Sequence, residues 1–326
     1  MAQSVKIITK DAQALLRTTR KYSIKQVSPG LYYHFGVEEG IISSPLKKCP
    51  IDDLSSTTLN LHINIDGLPL TKNSCSQFWP IWDTKRLSST PPFLIGCYHG
   101  YSKPDSANAF LENFVADINI CLCNGIDFNG RTFHIKLEAI TCDAPARAFV
   151  KNIKGHNGYF GCDRCTQEGE HVQNRMTFPE THSRLRTNAC FQSRTNEAHH
   201  TGDSILENVE GIDMIRDFPQ DYMHLAYLGV MRKLVLLWLR GKLPVRLSSR
   251  QTGRISNDSL KLRKFIPQEF ARKPRGLKEI DRWKSTEFRQ LLLYTGPLVL
   301  KESLPKNTSL ISWLLIVPLE YPSVQN

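Results

Sequence analysis

Between residues 59 and 66 apolar and polar side chains alternate. Leu59, Leu61, Ile63 and Ile65 fall on one side, Asn60, His62 and Asn64 on the other, and Asp66-Gly67 closes the run. A period of two predicts a strand with one buried face. Residues 133–143 form a second such run, closed by Asp143. Aromatic and branched residues at 78–82 and 93–98 predict two more strands. Pro104-Asp105-Ser106 reads as a helix start, residues 109–123 carry apolar side chains at helical spacing, and Asn124-Gly125 reads as the stop. From 59 to 148 the predicted order is therefore strand, strand, strand, helix, strand, short helix.

The pattern then breaks. Residues 155 to about 215 are polar and rich in Thr, Asn, His and Arg. A structureless run of that length is expected only as an insertion or where a metal ties it down. Beyond it, residues 222–240 predict a strong helix with an apolar face, 267–277 a basic loop, and 283–294 a helix stopped by Gly296-Pro297. Residues 1–55 read as an irregular lead-in, apart from a short helix at 11–17 with Asp11 as its N-cap. The expected organisation is a lead-in (1–55), the first part of an α/β core (56–154), a Cys/His insertion (155–220), a helical second part of the core (221–300) and a short tail (301–326).

At 326 residues and 40% hydrophobic, the chain can bury one large core or two modest ones. Its net charge of +11 favours polyanionic partners. Most of that excess is local: residues 241–290 hold fourteen Lys/Arg against five Asp/Glu, a net of +9. The bland account is a solvated surface; the other is a track for a phosphate backbone. The first residues lack an apolar leader core, and the oily stretches at 234–239 and 310–319 are too short for the ~20 residues a bilayer span needs. No membrane association is expected. Nine cysteines, an odd number without framework spacing, point to metal binding by a close pair rather than to disulfides.

Candidate chemistry sits on these elements. Asp66 and Asp143 close two strands, and Glu287 lies on a late helix. Two strand-end acids and one helical acid are what an RNase H-like core uses to gather carboxylates around Mg²⁺ or Mn²⁺. Singly, each has a plainer account: Asp66-Gly67 as a turn, Asp143-Ala144-Pro145 as a helix cap, and Glu287 as a salt bridge to Lys284. Cys162 and Cys165 have the spacing of one half of a tetrahedral Zn²⁺ site. Asp221 and His224, three apart at a helix start, can share a face and complete the set, with His156, His171, His182, His199 and His200 as other donors. The alternative is a pair of packed or free thiols. Lys273, Arg275, Lys284 and Arg289 are the candidate phosphate contacts.

In order, Asp66-Gly67 with Ser74, Phe78-Trp79-Pro80-Ile81-Trp82, Pro91-Pro92, Asp143-Ala144-Pro145-Ala146, Gly161-Cys162-x-x-Cys165, Asp217-Phe218-Pro219, Asp221-Tyr222-Met223-His224 with Leu228-Gly229-Val230, and 283–289 form a series. The series resembles the catalytic core of CACTA-type (En/Spm-like) DDE transposases, over residues 59 to about 300. The resemblance implies an RNase H-like mixed sheet with flanking helices and a Cys/His insertion. It implies Asp66, Asp143 and Glu287 as the Mg²⁺ triad, with Cys162, Cys165, Asp221 and His224 in the insertion's Zn²⁺ site. Some members have Cys where Asp221 stands. DNA is the implied partner, DNA strand cleavage and transfer the activity, and the nucleus the location; a homo-oligomer is compatible with it. The chain departs from the pattern at both ends. No end-binding domain is recognised in 1–55, and 301–326 does not continue the helical region. A shortened or transposon-derived copy that does not transpose autonomously is the resulting expectation. The rival readings are a catalytically silent DNA-binding or scaffold protein and an RNase H-like nuclease.

Overall fold

The computed structural model describes residues 23–46, 57–71, 74–84, 92–243, 245–301 and 303–304. The chain divides into two compact units, Met1–Pro219 and Gln220–Asn326.

The first unit is a mixed α/β layer. Its strands are β1 (Ile24–Val27), β2 (Gly30–His34), β3 (Thr58–Ile65), β4 (Leu68–Pro69), β5 (Gln77–Asp83), β6 (Phe93–Gly100), β7 (Ile126–Phe128) and β8 (Arg131–Thr141). They form one sheet in the order β1-β2-β6-β5-β3-β8-β7, with β4 paired to β5. Every described pairing in this sheet is antiparallel except β3 with β8, which is parallel. Parallel neighbours need a long crossover, and the helix α2 (Ala107–Asn124) lies on it.

The alternation along β3 reappears as burial: Leu59, Leu61, Ile63 and Ile65 are buried, whereas Asn60, His62 and Asn64 are half-buried on the other face. The polar face carries its own network. Glu138 accepts from Asn60 Nδ2 (2.5 Å) and pairs with His62 Nε2 (2.6 Å), and Trp82 Nε1 donates to Asn64 (2.6 Å). Ser106 caps α2 by accepting from the Ala109 amide, as the spacing predicted, and Gly125 ends it at φ +71°. The helix buries Phe110, Leu111, Phe114, Val115, Ile118 and Cys121. At about 1.5–3 kcal/mol for each large apolar side chain, this face is a main attachment of helix to sheet.

The lead-in is not irregular where it is described. Leu31-Tyr32-Tyr33 pairs with His99, Tyr98 and Cys97 of β6, and Tyr32 is buried. The short helix α1 (Val37–Ile41) follows. Asp117 of α2 accepts from the Val37 amide (2.7 Å) and bonds His34 Nε2 (2.9 Å), whose Nδ1 meets Tyr32 Oη (3.0 Å). The expected helix at 11–17 lies outside the described residues.

After β8 comes α3 (Ala144–Val150). The polar segment beyond it is built of short pieces: the hairpin β9 (Glu170–Val172) and β10 (Arg175–Thr177), the helix α4 (Asn188–Gln192) and 3₁₀ turns. Phe191, Leu206, Val209, Ile212, Met214 and Phe218 join the first unit's core, so this insertion is packed into that unit.

The second unit is helical. π-type turns over Met223–Met231 run into α5 (Arg232–Arg240), followed by α6 (Ser249–Leu262), α7 (Ser285–Gln290) and α8 (Gly296–Val299). Its core gathers Met231, Val235, Trp238, Ile255, Leu277, Ile280, Trp283, Phe288 and Leu291. Gly296-Pro297 does not stop the helical path as expected. Leu291–Thr295 widens into a π-type turn and α8 continues with its proline at the start. A proline lacks the amide that an α-helix interior requires, but tolerates the first turn. Among the described residues no helix is long and apolar enough to cross a membrane.

Candidate functional site

The parallel register of β3 and β8 sets the two strand-end acids level. Asn64 lies opposite Thr141, so two residues on, Asp66 and Asp143 close neighbouring strands at the same edge. Just before Asp143, Cys142 is buried, and its thiol is pushed up to about 12, by burial first, with Arg147 opposing and the Asp66 and Asp143 charges adding to it. Both carboxylates are half-buried.

Each carboxylate also serves its local backbone. Asp66 Oδ1 accepts from the Gly67 amide (2.8 Å). Gly67 is required by close approach, because a Cβ there would sit 2.9 Å from the Trp79 indole. Asp143 Oδ1 accepts from the Ala146 amide (2.7 Å), capping α3 with Pro145 in the first turn. Capping occupies one oxygen, so the same Asp can cap and ligate.

Behind this edge lies a buried charge cluster. Arg147 Nε pairs with Asp163 Oδ2 at 2.7 Å, and Arg164 donates to the Ile215 carbonyl at 2.6 Å and to the Phe218 carbonyl. Asp163 and Arg164 are the two residues between Cys162 and Cys165, so the cysteine loop is braced against the helix that Asp143 caps. Lys151 is 1% exposed, with its Nζ 5.0 Å from the Phe191 ring and 5.1 Å from the Phe218 ring. Burial lowers its pKa to about 7, Asp163 partly restoring it. Nothing in the one-dimensional pattern marks Lys151, which sits beyond the end of a short helix.

The thiols of Cys162 and Cys165 are 3.3 Å apart, and the Cys165 amide donates to Cys162 Sγ at 3.4 Å. Two sulfurs converging on one side, with an amide to stabilise negative charge on one, fit half of a tetrahedral Zn²⁺ site. Burial raises the Cys165 thiol, with the Arg186 charge among the opposing effects. His199 was an alternative donor. It is fully buried, with Nδ1 on the Phe160 carbonyl (2.7 Å), and burial lowers it to about 4, which keeps it neutral.

The remaining predicted residues belong to the second unit. Asp221 and His224 are brought together, with His224 Nδ1 and Asp221 Oδ2 at 2.6 Å, while Asp221 Oδ1 accepts from the Met223 amide (2.8 Å). In this arrangement the Asp221 carboxylate fixes the orientation of the ring, a carboxylate–histidine pairing of the kind common around metals.

Glu287 is 3% exposed on α7. Its partner is Arg275, not Lys284: Arg275 Nε and Nη2 meet its two oxygens at 2.6 and 2.7 Å, and the Lys284 amide donates to Oε2 at 2.8 Å. Burial raises its pKa, but the Arg275 bonds, the Lys284 amide and the Arg275 charge outweigh it and hold the carboxyl below its ordinary range. As a metal ligand Glu287 would have to leave Arg275. The proposed phosphate contacts divide similarly. Arg275 is committed to Glu287 and the Arg282 carbonyl (2.6 Å), and Lys273 donates to the carbonyls of Ile266 and Pro267 (3.1 Å for the latter). Lys284 and Arg289 are exposed. Among the described residues no group of three or more His, Cys, Asp or Glu side chains is placed to hold a metal ion.

In sequence comparison no protein-family profile matches the chain, and no curated protein matches it.

Proposed function

We propose that the chain is a DNA-binding protein with a transposase-like core of the DDE type, acting on DNA by metal-dependent strand cleavage or transfer. The observation that carries this reading is the level placement of Asp66 and Asp143 at the ends of the parallel pair β3 and β8. The sheet supports it. Antiparallel β6-β5-β3, a helical crossover, and a parallel β8 on the far side of β3 make an order compatible with an RNase H-like sheet. The ordered motifs that resemble CACTA-type transposases point the same way, with the nucleus as the place of action.

The donor set at the strand ends, two carboxylates in a half-buried edge, suits Mg²⁺ or Mn²⁺, which prefer hard oxygen ligands. Two such ions would activate a water or a DNA 3′-hydroxyl and stabilise the leaving oxygen of an in-line displacement. The chain's own part is to hold the carboxylates still. Asp143 is fixed by its cap to α3, α3 by the Arg147–Asp163 pair, and Asp66 by the Gly67 amide. Cys162 and Cys165 would supply the thiol half of a structural Zn²⁺ site, and Asp221 and His224 form a carboxylate–histidine pair of the second unit. Glu287, the third acid that the resemblance implies, lies in the second unit in the two-bond hold of Arg275.

The test is nicking of supercoiled plasmid by the purified chain with Mg²⁺ or Mn²⁺. Asp66→Asn and Asp143→Asn should each lower the rate by roughly a hundredfold or more, since each removes a ligand of the ions that supply the chemistry. Asn is also a good cap, so Asp143→Asn leaves α3 intact. Nicking that ignores both substitutions would sink the reading. The bidentate hold of Arg275 on Glu287 favours a second one, a catalytically silent transposon-derived protein; duplex binding with no metal-dependent nicking would select it.

A further inference from the structure

The phosphate contacts expected at Lys273 and Arg275 are tied into the second unit's own bonds, and a second set of exposed cations lies on and around α6. Residues 242–264 hold seven Lys/Arg and one acid, Asp258. The helix is fixed by one side. Ile255 and Ser259 are buried, Gln251 Nε2 donates to the Ser303 carbonyl (2.9 Å), and Ser256 Oγ accepts from the Leu277 amide (2.8 Å). At about 100° per residue, Arg250, Arg254, Asn257 and Lys261 fall within roughly 40° of one line on the opposite side. All four are exposed. From Arg250 to Lys261 the rise is about 17 Å, against a major groove about 12 Å wide, so the row can reach both phosphate walls.

Two further features adjoin this row. Gly253 is exposed in the middle of α6, and a Cβ there would meet nothing within 4 Å. Gly in a helix interior costs roughly 0.5–1 kcal/mol relative to Ala. Among the described residues nothing requires it, whereas close approach of an outside backbone would. Gly253 also lines an open groove of about 1160 Å³ beside the helix, with Ser249, Thr252, Asn257, Arg246 and Lys278, together with the acid Glu279 and several leucines. Hydroxyl, amide and cationic donors of this kind are the usual contacts to sugar-phosphate. Asp258 lies 3.9 Å from Arg254 and 2.9 Å from Lys261. Exposed pairs like these are worth at most about 1 kcal/mol, so phosphates can compete for the cations.

We propose that this face of α6, with the adjoining groove, is the duplex-DNA contact surface of the second unit. Arg250, Arg254 and Lys261 meet phosphates, and the backbone passes closest at Gly253. The proposal rests on the reading of the chain as a DNA-binding protein but not on its catalysis.

Binding of the full chain to a fluorescent duplex of about 30 base pairs, followed by anisotropy across salt concentrations, tests it. Replacing Arg250, Arg254 and Lys261 together by Gln should flatten the log–log salt slope by about 2.7, at about 0.9 per phosphate contact, and weaken binding roughly tenfold or more near 0.1 M salt. Gly253→Gln adds a good helix former and no charge. It should leave the melting temperature unchanged or higher and the salt slope intact, yet weaken binding several-fold. A matched control removes Arg131, Lys136 and Arg175 of the first unit and should keep the slope. The assignment is overturned if the control flattens the slope equally, if Gly253→Gln binds like the parent chain, or if anionic phospholipid vesicles are bound through these residues and duplex is not. Duplex binding through α6 without any nicking would remove the catalytic reading and leave this one standing.

Discussion

Replacing Glu287 by Gln separates a structural acid from a catalytic one. Glu287 is 3% exposed and its two oxygens take two bonds from Arg275 and one from the Lys284 amide. Gln keeps the shape and one acceptor but removes the charge. For charge centres about 4 Å apart at an effective dielectric near 20, the lost attraction is about 4 kcal/mol, offset by the relief of burying one anion fewer. A net loss of about 3 kcal/mol is expected, in line with breaking a buried pair by removing one partner. With a urea m-value near 2 kcal/mol/M, the midpoint of the second unit should fall by about 1.5 M. Trp283, buried beside Phe288 on this helix, reports the transition by fluorescence. Because Arg275 holds the folded carboxyl below its ordinary range, this stability is present above the unfolded value of about 4.3 and is lost as pH falls through the folded value. The Glu287→Gln protein should therefore show a shallower acid limb. A double-mutant cycle with Arg275→Met should return a coupling of roughly 2–4 kcal/mol. A midpoint shift under about 0.3 M, or a coupling near zero, would refute the reasoning. Loss of nicking in Glu287→Gln without loss of stability would instead mark a ligand.

The other predictions follow the buried groups of the first unit. Lys151 binds its proton up to about 10.4 when unfolded but only to about 7 when folded, so between those values the unfolded state holds more protons and stability should rise with pH; Lys151→Met should flatten the rise between pH 7 and 10 in urea titrations, and an unchanged slope would show that another group causes it. Stripping zinc with a chelator should lower the melting temperature of the parent chain, and elemental analysis should find about one Zn²⁺ per reconstituted chain but none in Cys162→Ser; an equal zinc content in both would remove the thiol pair from the site.

The elements that could be read from the chain were those whose signal is local. Alternation along 59–66 and 133–143, and Ser106 ahead of an apolar helical stripe, each concern residues in one strand or helix, and each lies where expected. The level placement of Asp66 and Asp143 needed the register of two strands far apart in sequence, which alternation alone cannot supply. The β1–β2 hairpin was missed because its strands are four and five residues long and its apolar side chains are partly outward, Ile24 and Leu31 being exposed. Glu287 was matched to Lys284 because helical spacing sees only near neighbours, whereas Arg275 reaches it from the preceding loop, twelve residues back. The same limit hid Lys151, whose aromatic partners lie 40 and 67 residues further on.

The parallel pairing of β3 and β8 also sets an order of events. Asp66 leaves the ribosome long before Asp143, and everything from β4 to β7 must be made before the two can stand side by side. Until then β3 has β5 on one side and an open hydrogen-bonding edge on the other. Contacts of such sequence separation form slowly, and an unpaired edge is a template for pairing with another chain. A product that ends short of β8 would therefore lose more than an acidic residue. It would present the strand that carries Asp66 as an adhesive border, so premature termination in this stretch should yield aggregates rather than a soluble, inactive half.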